Sequence, residues 1–508
     1  MNYDIKITLA KNGEHICKIN NIYMNSRYNP SVEAERFVNN VSCDFIPSIV
    51  ICINPCLSYC LPYFRQKFPT SKIIAIQCVK YFKKEDSQWD HVIYLDNYKT
   101  LSERIFNELG EEKLFSTFIN LWVPSNKIFS IENDLIVKEI HKAILKARDV
   151  IGTRLHFSKR WAFNSIRFFN LIHKVSILQR GTQTVFLAAS GPSLFDSFSF
   201  LKTHRKYLFI VAVSSACKAL LENNILPDIV ISTDGGYYAK RHLDCIVKKD
   251  IPIILSAESS FPAKLPTRNT IIPISYKDGI ESFLFQECNI PHLIASRNGT
   301  VSGTAIDLFL NLTTNNILTG GLDLSSNKGF IHIKPNILEE IDSTNDTLLY
   351  PISTRIAKNS LQNHSLEIYR SWFQNLDSAK SNRIVRLFKK PEEQNHLFNI
   401  KDISVLEAQQ LINKSFEPIV INKPCTIDTY SSQQKIHHFL ENTKLDFSNN
   451  KYNFHFIKEA ALLDFLLSKK FPNNKDHVNE CILKTIKFIN LLIQKNESIN
   501  NFFKEDSK

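Results

Sequence analysis

Between Ser48 and Leu95 the hydrophobic positions fall in short unbroken runs. Ser48-Ile49-Val50-Ile51-Cys52-Ile53, Lys72-Ile73-Ile74-Ala75-Ile76 and His91-Val92-Ile93-Tyr94-Leu95 are each one strand long, the pattern of parallel strands buried on both faces. Helical stretches lie between and after them, so residues 1–125 read as an N-terminal Rossmann-like α/β domain. From Asn133 to Arg180 the apolar positions take helical spacing without a proline, which predicts a helical connector over 126–180. Residues 181–335 return to alternation. Strands are predicted at Thr184–Ala189, Leu208–Val213, Ile229–Thr233, Ile251–Ser256, Ile271–Ser275 and Ile317–Gly320, and helices at Phe195–Thr203, Ser215–Asn224 and Ser302–Leu312. That order implies βαβ crossovers and a mostly parallel, doubly wound sheet. Residues 336–508 show helical periodicity at Phe456–Lys469 and Val478–Gln494, predicting a C-terminal helical domain. The fold class is therefore α/β, with a central Rossmann-like domain between a smaller α/β domain and a helical one.

Composition narrows this picture only slightly. At 508 residues the chain exceeds one core, and 44% hydrophobic with 22% charged residues is ordinary for a globular protein. The net charge of +12 comes from dispersed lysines with no long basic block and no nucleic-acid-reading motif. It keeps the surface soluble or favours small anionic partners, and nucleic acid is not an expected partner. None of the eleven cysteines forms a CxxC pair. Cys52, Cys56 and Cys60 are four apart, but the first belongs to a strand and no histidine completes a zinc tetrad. Small buried thiols, and so a reducing cytoplasmic location, are expected. The N-terminus carries no signal-peptide pattern, and no apolar stretch reaches 18 residues, so no membrane span is expected.

Glycine changes the picture more. Ten of the 13 glycines lie between Gly181 and Gly329, and the residues after Gly329 contain none. A chain this sparing of glycine keeps it where a tight turn or bare backbone is needed, which directs attention to four segments. Ala188-Ala189-Ser190-Gly191-Pro192-Ser193-Leu194 follows a strand and opens a helix, where exposed amides and the helix dipole favour an anion. An ordinary capped turn is its plain alternative. Pro227-Asp228 leads into a strand at whose carboxyl end stands Asp234, followed by Gly235-Gly236. Ligands of open α/β sheets bind beyond such ends, though an aspartate there also serves as a helix cap. Asn298-Gly299-Thr300-Val301-Ser302-Gly303-Thr304 is a third small-residue turn before an apolar helix. Finally, Thr319-Gly320-Gly321-Leu322-Asp323-Leu324 puts an acid after a strand, with Lys328-Gly329-Phe330-Ile331-His332 close behind. An imidazole works as a base near neutral pH, although a lone loop histidine is more often just solvated. By contrast the N-terminal turn Asn54-Pro55-Cys56-Leu57-Ser58-Tyr59 has no glycine, which speaks against a dinucleotide there.

Taken in order, the Ser190–Leu194 turn, Pro227-Asp228 with Asp234, the Val301-Ser302-Gly303 helix start with Ala305, and Gly320-Gly321-Leu322-Asp323-Leu324 with Gly329 and His332 resemble motility-associated factor glycosyltransferases. The segment Ser26-Arg27-Tyr28-Asn29-Pro30-Ser31-Val32-Glu33-Ala34-Glu35-Arg36 looks like that family's leading domain. The resemblance spans residues 20–335 and is most specific over 186–332. The central region is also similar to bacterial sialyltransferases that open with a G-N-G-P-S-L turn, where this chain has Ala189 and Ser190, and to proteins likened to 6-hydroxymethylpterin pyrophosphokinases.

The resemblance implies transfer of a nonulosonic acid, pseudaminic, legionaminic or a related sialic-type sugar, from its CMP-activated form to Ser or Thr of flagellin. On that expectation Ser190, Gly191, Pro192, Ser193, Ser302, Gly303 and Gly321 bind the nucleotide or donor, Asp234 and Asp323 position donor or cation, and His332 is the base. Mg²⁺ is the candidate cation, with no cofactor required by the pattern. A homo-oligomer is compatible with it. Two alternatives stay open: an ATP- and Mg²⁺-dependent pyrophosphokinase with Asp234 and Asp323 as ligands, and a flagellin-binding scaffold without catalysis.

Overall fold

Chain reversals at Gly13 and at Asn20-Asn21, all with positive φ, fold the first residues into an antiparallel meander. Its strands are β1 (Ile5–Leu9), β2 (His15–Ile19) and β3 (Ile22–Tyr23). The Asn20-Asn21 pair is the two-residue, left-handed loop that matches the twist of a hairpin. The computed structural model describes residues 3–95, 101–247, 249–324, 331–351, 369, 370, 372–393, 397 and 399–505. The chain divides into two units, Met1–His156 with Ala460–Thr485, and Phe157–Glu459 with Ile486–Lys508.

In the first unit the three apolar runs become β4 (Ile49–Ile53), β5 (Lys72–Gln77) and β6 (His91–Tyr94). With β7 (Thr117–Leu121) they form a parallel sheet in the order β6-β5-β4-β7. Ile51, Ile53 and Ile74 pack against Ile136, Ile140 and Ala143 of the helix Ser130–Leu171. The crevice beyond β4, where a nucleotide would lie in a Rossmann unit, is filled. Cys17, Ile19 and Met24 of the meander region close over Cys56, Phe82 and Phe129 in one buried cluster. The glycine-free turn there bends through Asn54, Cys56 and Ser58 in left-handed conformations, pinned by Asn54 to Asn133 and to the amide of Cys78.

The second unit is built on an 11-stranded sheet. The strands predicted from the sequence appear as β10 (Thr184–Ala188), β11 (Leu208–Val213), β12 (Ile229–Ser232), β13 (Ile253–Ser256), β14 (Ile271–Ser275) and β16 (Ile317–Gly320), preceded by β8 (Lys174–Val175) and β9 (Leu178–Gln179), with β15 (Leu293–Ile294) beside β14. β17 (Ile384–Phe388), β18 (Lys401–Ser404), β19 (Val420–Ile421) and β20 (Cys425–Thr426) complete the set. Along the sheet the order is β18-β17-β16-β10-β11-β12-β13-β14-β8-β20, parallel except where β20 meets β8, while β19 pairs with β9. The chain leaves β10 toward β11 and returns on its other side as β16. The topological switch point therefore lies at the carboxyl ends of β10 and β16.

The C-terminal region is helical, as expected from sequence, but not from residue 336 onward. β17 and β18 extend the central sheet, and β20 pairs at its far end. β17 escaped detection because it carries a charged residue, Arg386, in its interior, which breaks the apolar run. The helices Thr429–Ser448, Phe454–Lys470 and Lys475–Glu505 follow; the last reaches past Phe503, where a frayed tail is expected from sequence. The helix Gly279–Cys288 is met by Thr429–Ser448, with Phe283 and Phe439 stacked at 6.0 Å.

Candidate active site

Two of the four glycine-bearing motifs meet at the switch point. The amide of Ala189 donates to the carbonyl of Gly320 (2.9 Å), and that of Gly191 to the carbonyl of Gly321 (2.8 Å). Asp323 then takes both donors of Ser193: one carboxylate oxygen accepts from the amide at 2.9 Å, the other from the hydroxyl. Burial raises the Asp323 pKa, with the Ser193 contacts and the Arg386 charge opposing it. Pro192 opens a 3₁₀ segment to Ser197 before the short helix Phe198–His204. Since the Leu194 amide bonds to Gly191, the amides of Gly191, Ser193 and Leu194 are all committed within the fold. The Ser190–Ser193 turn is thus held by protein groups where an anion cradle is expected from sequence.

His332 joins this site through its neighbour, for the Ile333 amide donates to the Ser190 carbonyl at 2.7 Å. Its imidazole, one third exposed, lies with Nδ1 3.2 Å from Oε1 of Glu339, whose side chain is buried. The same oxygen accepts from the His332 amide at 3.0 Å. Lys328, Gly329 and Phe330 of that motif lie outside the described residues.

Asp234 follows β12, two strands from β10, and its side chain accepts from the Gly236 amide at 2.7 Å. His242 stands within electrostatic reach of both Asp234 and His332. Burial, with the His332 charge adding, pushes its pKa down to about 4, so it is a neutral imidazole. Tyr369 also feels Asp234: burial first and that charge second raise its pKa. The ring of Tyr369 packs beside Gly299, which brings the third motif to the same region. There Thr300 caps the helix Val301–Leu312 by accepting from the Gly303 amide. Gly303 is therefore part of the cap. Among the described residues the amides of Val301 and Ser302 make no hydrogen bond.

Sequence reasoning missed a second layer under Asp234. Arg297 makes a two-pronged ion pair with Glu258, both contacts 2.6 Å, and lies over the Tyr276 ring at 4.3 Å and the Trp161 ring at 5.3 Å. Burial opposes the Arg297 charge, but Glu258 outweighs it and the guanidinium is held firmly protonated. Burial pushes Glu281 up to about 7 and Glu459 up to about 8. Asn164 donates to the carbonyls of both Gly235 and Glu258. A side chain at Gly235 would come within 2.6 Å of Trp161, so this glycine is demanded by packing. The only signals available were the acid after a strand in Ser256-Ala257-Glu258 and the arginine just before Asn298-Gly299. Glu339, in the pair Glu339-Glu340, reads from sequence as an ordinary first helical turn.

Among the described residues no group of three or more His, Cys, Asp or Glu side chains forms a ligand set for a metal. Both oxygens of Asp323 are engaged by Ser193, a donor environment that does not fit a hard cation such as Mg²⁺. No described helix is long and apolar enough to cross a membrane.

Against solved structures, the chain aligns over 99% of its length, and 93% of the other's, with a MAf glycosyltransferase from Magnetospirillum magneticum AMB-1 at a TM-score of 0.53 and 12% identity. The chain has the fold of that MAf glycosyltransferase. Residues 161–329, which carry the first three motifs and Asp323 of the fourth, match the family described as 6-hydroxymethylpterin diphosphokinase MptE-like. Two curated relatives are uncharacterized proteins of Treponema pallidum (strain Nichols). One is 32% identical over 289 residues, 57% of this chain and 64% of its own length. The other is 27% identical over 155 residues, 29% of this chain and 26% of its own length. The matches thus span less than two thirds of either relative.

Proposed function

We propose that the protein is a glycosyltransferase that moves a nonulosonic acid from its CMP-activated form to Ser or Thr hydroxyls of flagellin. The observation that carries this reading is the convergence on His332. On a MAf-type sheet, an accessible imidazole with a carboxylate partner stands beside the switch point, and a neutral His242 lies within electrostatic reach of both it and Asp234. In the reaction the acceptor hydroxyl attacks the anomeric carbon while the bond to the CMP phosphate breaks, the electron pair leaving with CMP. His332 takes the hydroxyl proton at Nε2, and Asp234 orients the donor. The Val301 and Ser302 amides, at the positive end of a 12-residue helix, are the better candidates for the phosphate. Charge develops on that leaving phosphate, so its stabilisation is the larger catalytic contribution. Asp323, Gly191 and Ser193 then act by shaping the turn that carries Ser190.

Calorimetric titration with CMP, a CMP-nonulosonate and ATP, with and without Mg²⁺, tests the donor class. A mass shift of flagellin incubated with protein and donor tests the transfer. CMP binding together with a mass shift supports the transferase, and failure of both overturns it. The match of residues 161–329 to MptE-like proteins favours a second reading, pyrophosphoryl transfer from ATP to a hydroxymethylpterin. Mg²⁺-dependent AMP release with that acceptor would establish it.

A further inference from the structure

The ring of His332 is held at one nitrogen. Oε1 of Glu339 accepts from the His332 amide at 3.0 Å and lies 3.2 Å from Nδ1. One oxygen therefore fixes both the backbone and the ring of the same residue. Glu339 is itself anchored: its amide bonds to the Asn336 side chain, and Asn336 is buried and donates to the carbonyl of Ser215, just beyond β11. On the other side Ile333 is tied to Ser190 beyond β10. The segment between these ties is pinned to the ends of two neighbouring strands, and the buried carboxylate meets the imidazole at Nδ1.

We infer that Glu339 is the positioning residue for His332, holding its ring as the Nδ1–H tautomer so that Nε2 keeps a free lone pair for a hydroxyl proton. A carboxylate at this place can act in two ways. It selects the tautomer in the ground state, since an acceptor opposite Nδ1 requires the proton there. It also faces the imidazolium that forms once Nε2 has taken the proton, and so stabilises the charge that develops. The catalytic part of this inference rests on the transferase reading, whereas the tautomer does not.

Both parts are read on the full chain. Protein carrying ¹⁵N-histidine gives two-bond ¹H–¹⁵N spectra in which the His332 ring is identified by its loss in His332→Gln. The wild-type ring is expected as the Nδ1–H form, and Glu339→Ala should populate Nε2–H. In the transfer assay Glu339→Ala should lower kcat about 100-fold or more with the donor KM little changed, within the ~10²–10⁴ that general-base help supplies. The double variant His332→Ala/Glu339→Ala should be no slower than His332→Ala, since the pair works as a unit. If Glu339→Ala does not fold, Glu339→Gln keeps the shape and an acceptor oxygen; there the tautomer should persist while kcat still falls. An Nε2–H ring in the wild type, or losses that multiply in the double variant, would overturn the inference. A wild-type protein that transfers nothing but shows the Nδ1–H ring would sink the functional reading and leave the positioning of His332 standing.

Discussion

Asp323 accepts from both the amide and the hydroxyl of Ser193, a residue 130 positions earlier in the chain. The contact locks the ends of β10 and β16 together at the switch point, and it leaves no room beside Gly191. A Cβ there would lie 2.6 Å from the Asp323 carboxylate and from the Gly321 carbonyl. Gly191→Ala is therefore expected to destabilise the protein by about 1–3 kcal/mol through overpacking. Urea denaturation should show a lower midpoint with an unchanged slope. An unaltered midpoint would mean that the turn yields easily and that Gly191 serves a ligand instead.

On the proposed transferase reading, replacement of His332 by Ala should reduce sugar transfer by about 10²–10⁴, the usual range for a general base, while CMP affinity stays within a few fold. Asp234→Ala should do the reverse in emphasis, weakening donor binding first. A titration and a turnover assay on the two variants separate these roles. Equal losses in both assays for both variants would contradict the division of labour.

Much of this was legible in the sequence, for physical reasons that differ by segment. β11 is an unbroken apolar run and β10 is one from Val185 onward, the pattern of parallel strands buried on both faces. The helix Val301–Leu312 announces itself by Thr300, a capping residue before an apolar face. The meander escaped because Ile7 and Leu9 are exposed and its register rests on turn residues. The site divides in the same way. Ser190, Gly191, Gly321 and Asp323 sit in turns whose small residues mark them. His242, Glu258, Arg297 and Glu339 carry no local pattern, because what makes them a site is burial and pairing across the chain. Glycine spacing alone does not say what each glycine is for: Gly191 and Gly235 are also required by the close approach of Asp323 and Trp161.

Arg386 and Asp402 face each other directly across β17 and β18 in a two-pronged pair at 2.7 and 2.8 Å, with side chains only 1% and 3% exposed. Arg386 also donates to the Leu322 carbonyl at 3.0 Å, next to Asp323. Arg386→Met would remove the guanidinium that faces the buried Asp402 carboxylate and should cost about 3–5 kcal/mol. The double replacement Arg386→Met/Asp402→Leu should recover most of that loss. Thermal melts of the three proteins check the pattern, and a double variant as unstable as the single would show that the Leu322 contact dominates.

Glu459 gives the second unit a defined pH response. Its carboxyl is buried against the amide of Ile280 (2.6 Å), with Glu258, Asp278 and Arg297 as its charged neighbours. Burial raises its pKa from 4.5 to about 8, with the Glu258 charge adding and the Ile280 amide and Arg297 opposing. In the folded protein it therefore holds its proton through neutral pH, whereas in the unfolded chain it ionises above 4.5. The unfolded state binds fewer protons in that window, so stability falls as pH rises, by on the order of 1.4 kcal/mol per pH unit for one such group. Below 4.5 this penalty is absent, and beyond about pH 8 it stops growing. Glu281, raised to about 7 mainly by burial, adds a smaller contribution of the same sign. Glu459→Gln keeps an acceptor for Ile280 and cannot ionise. It should raise the melting temperature over wild type at pH 8 and make little difference at pH 5. A gain of equal size at both pH values would show that the benefit comes from packing and not from the buried proton.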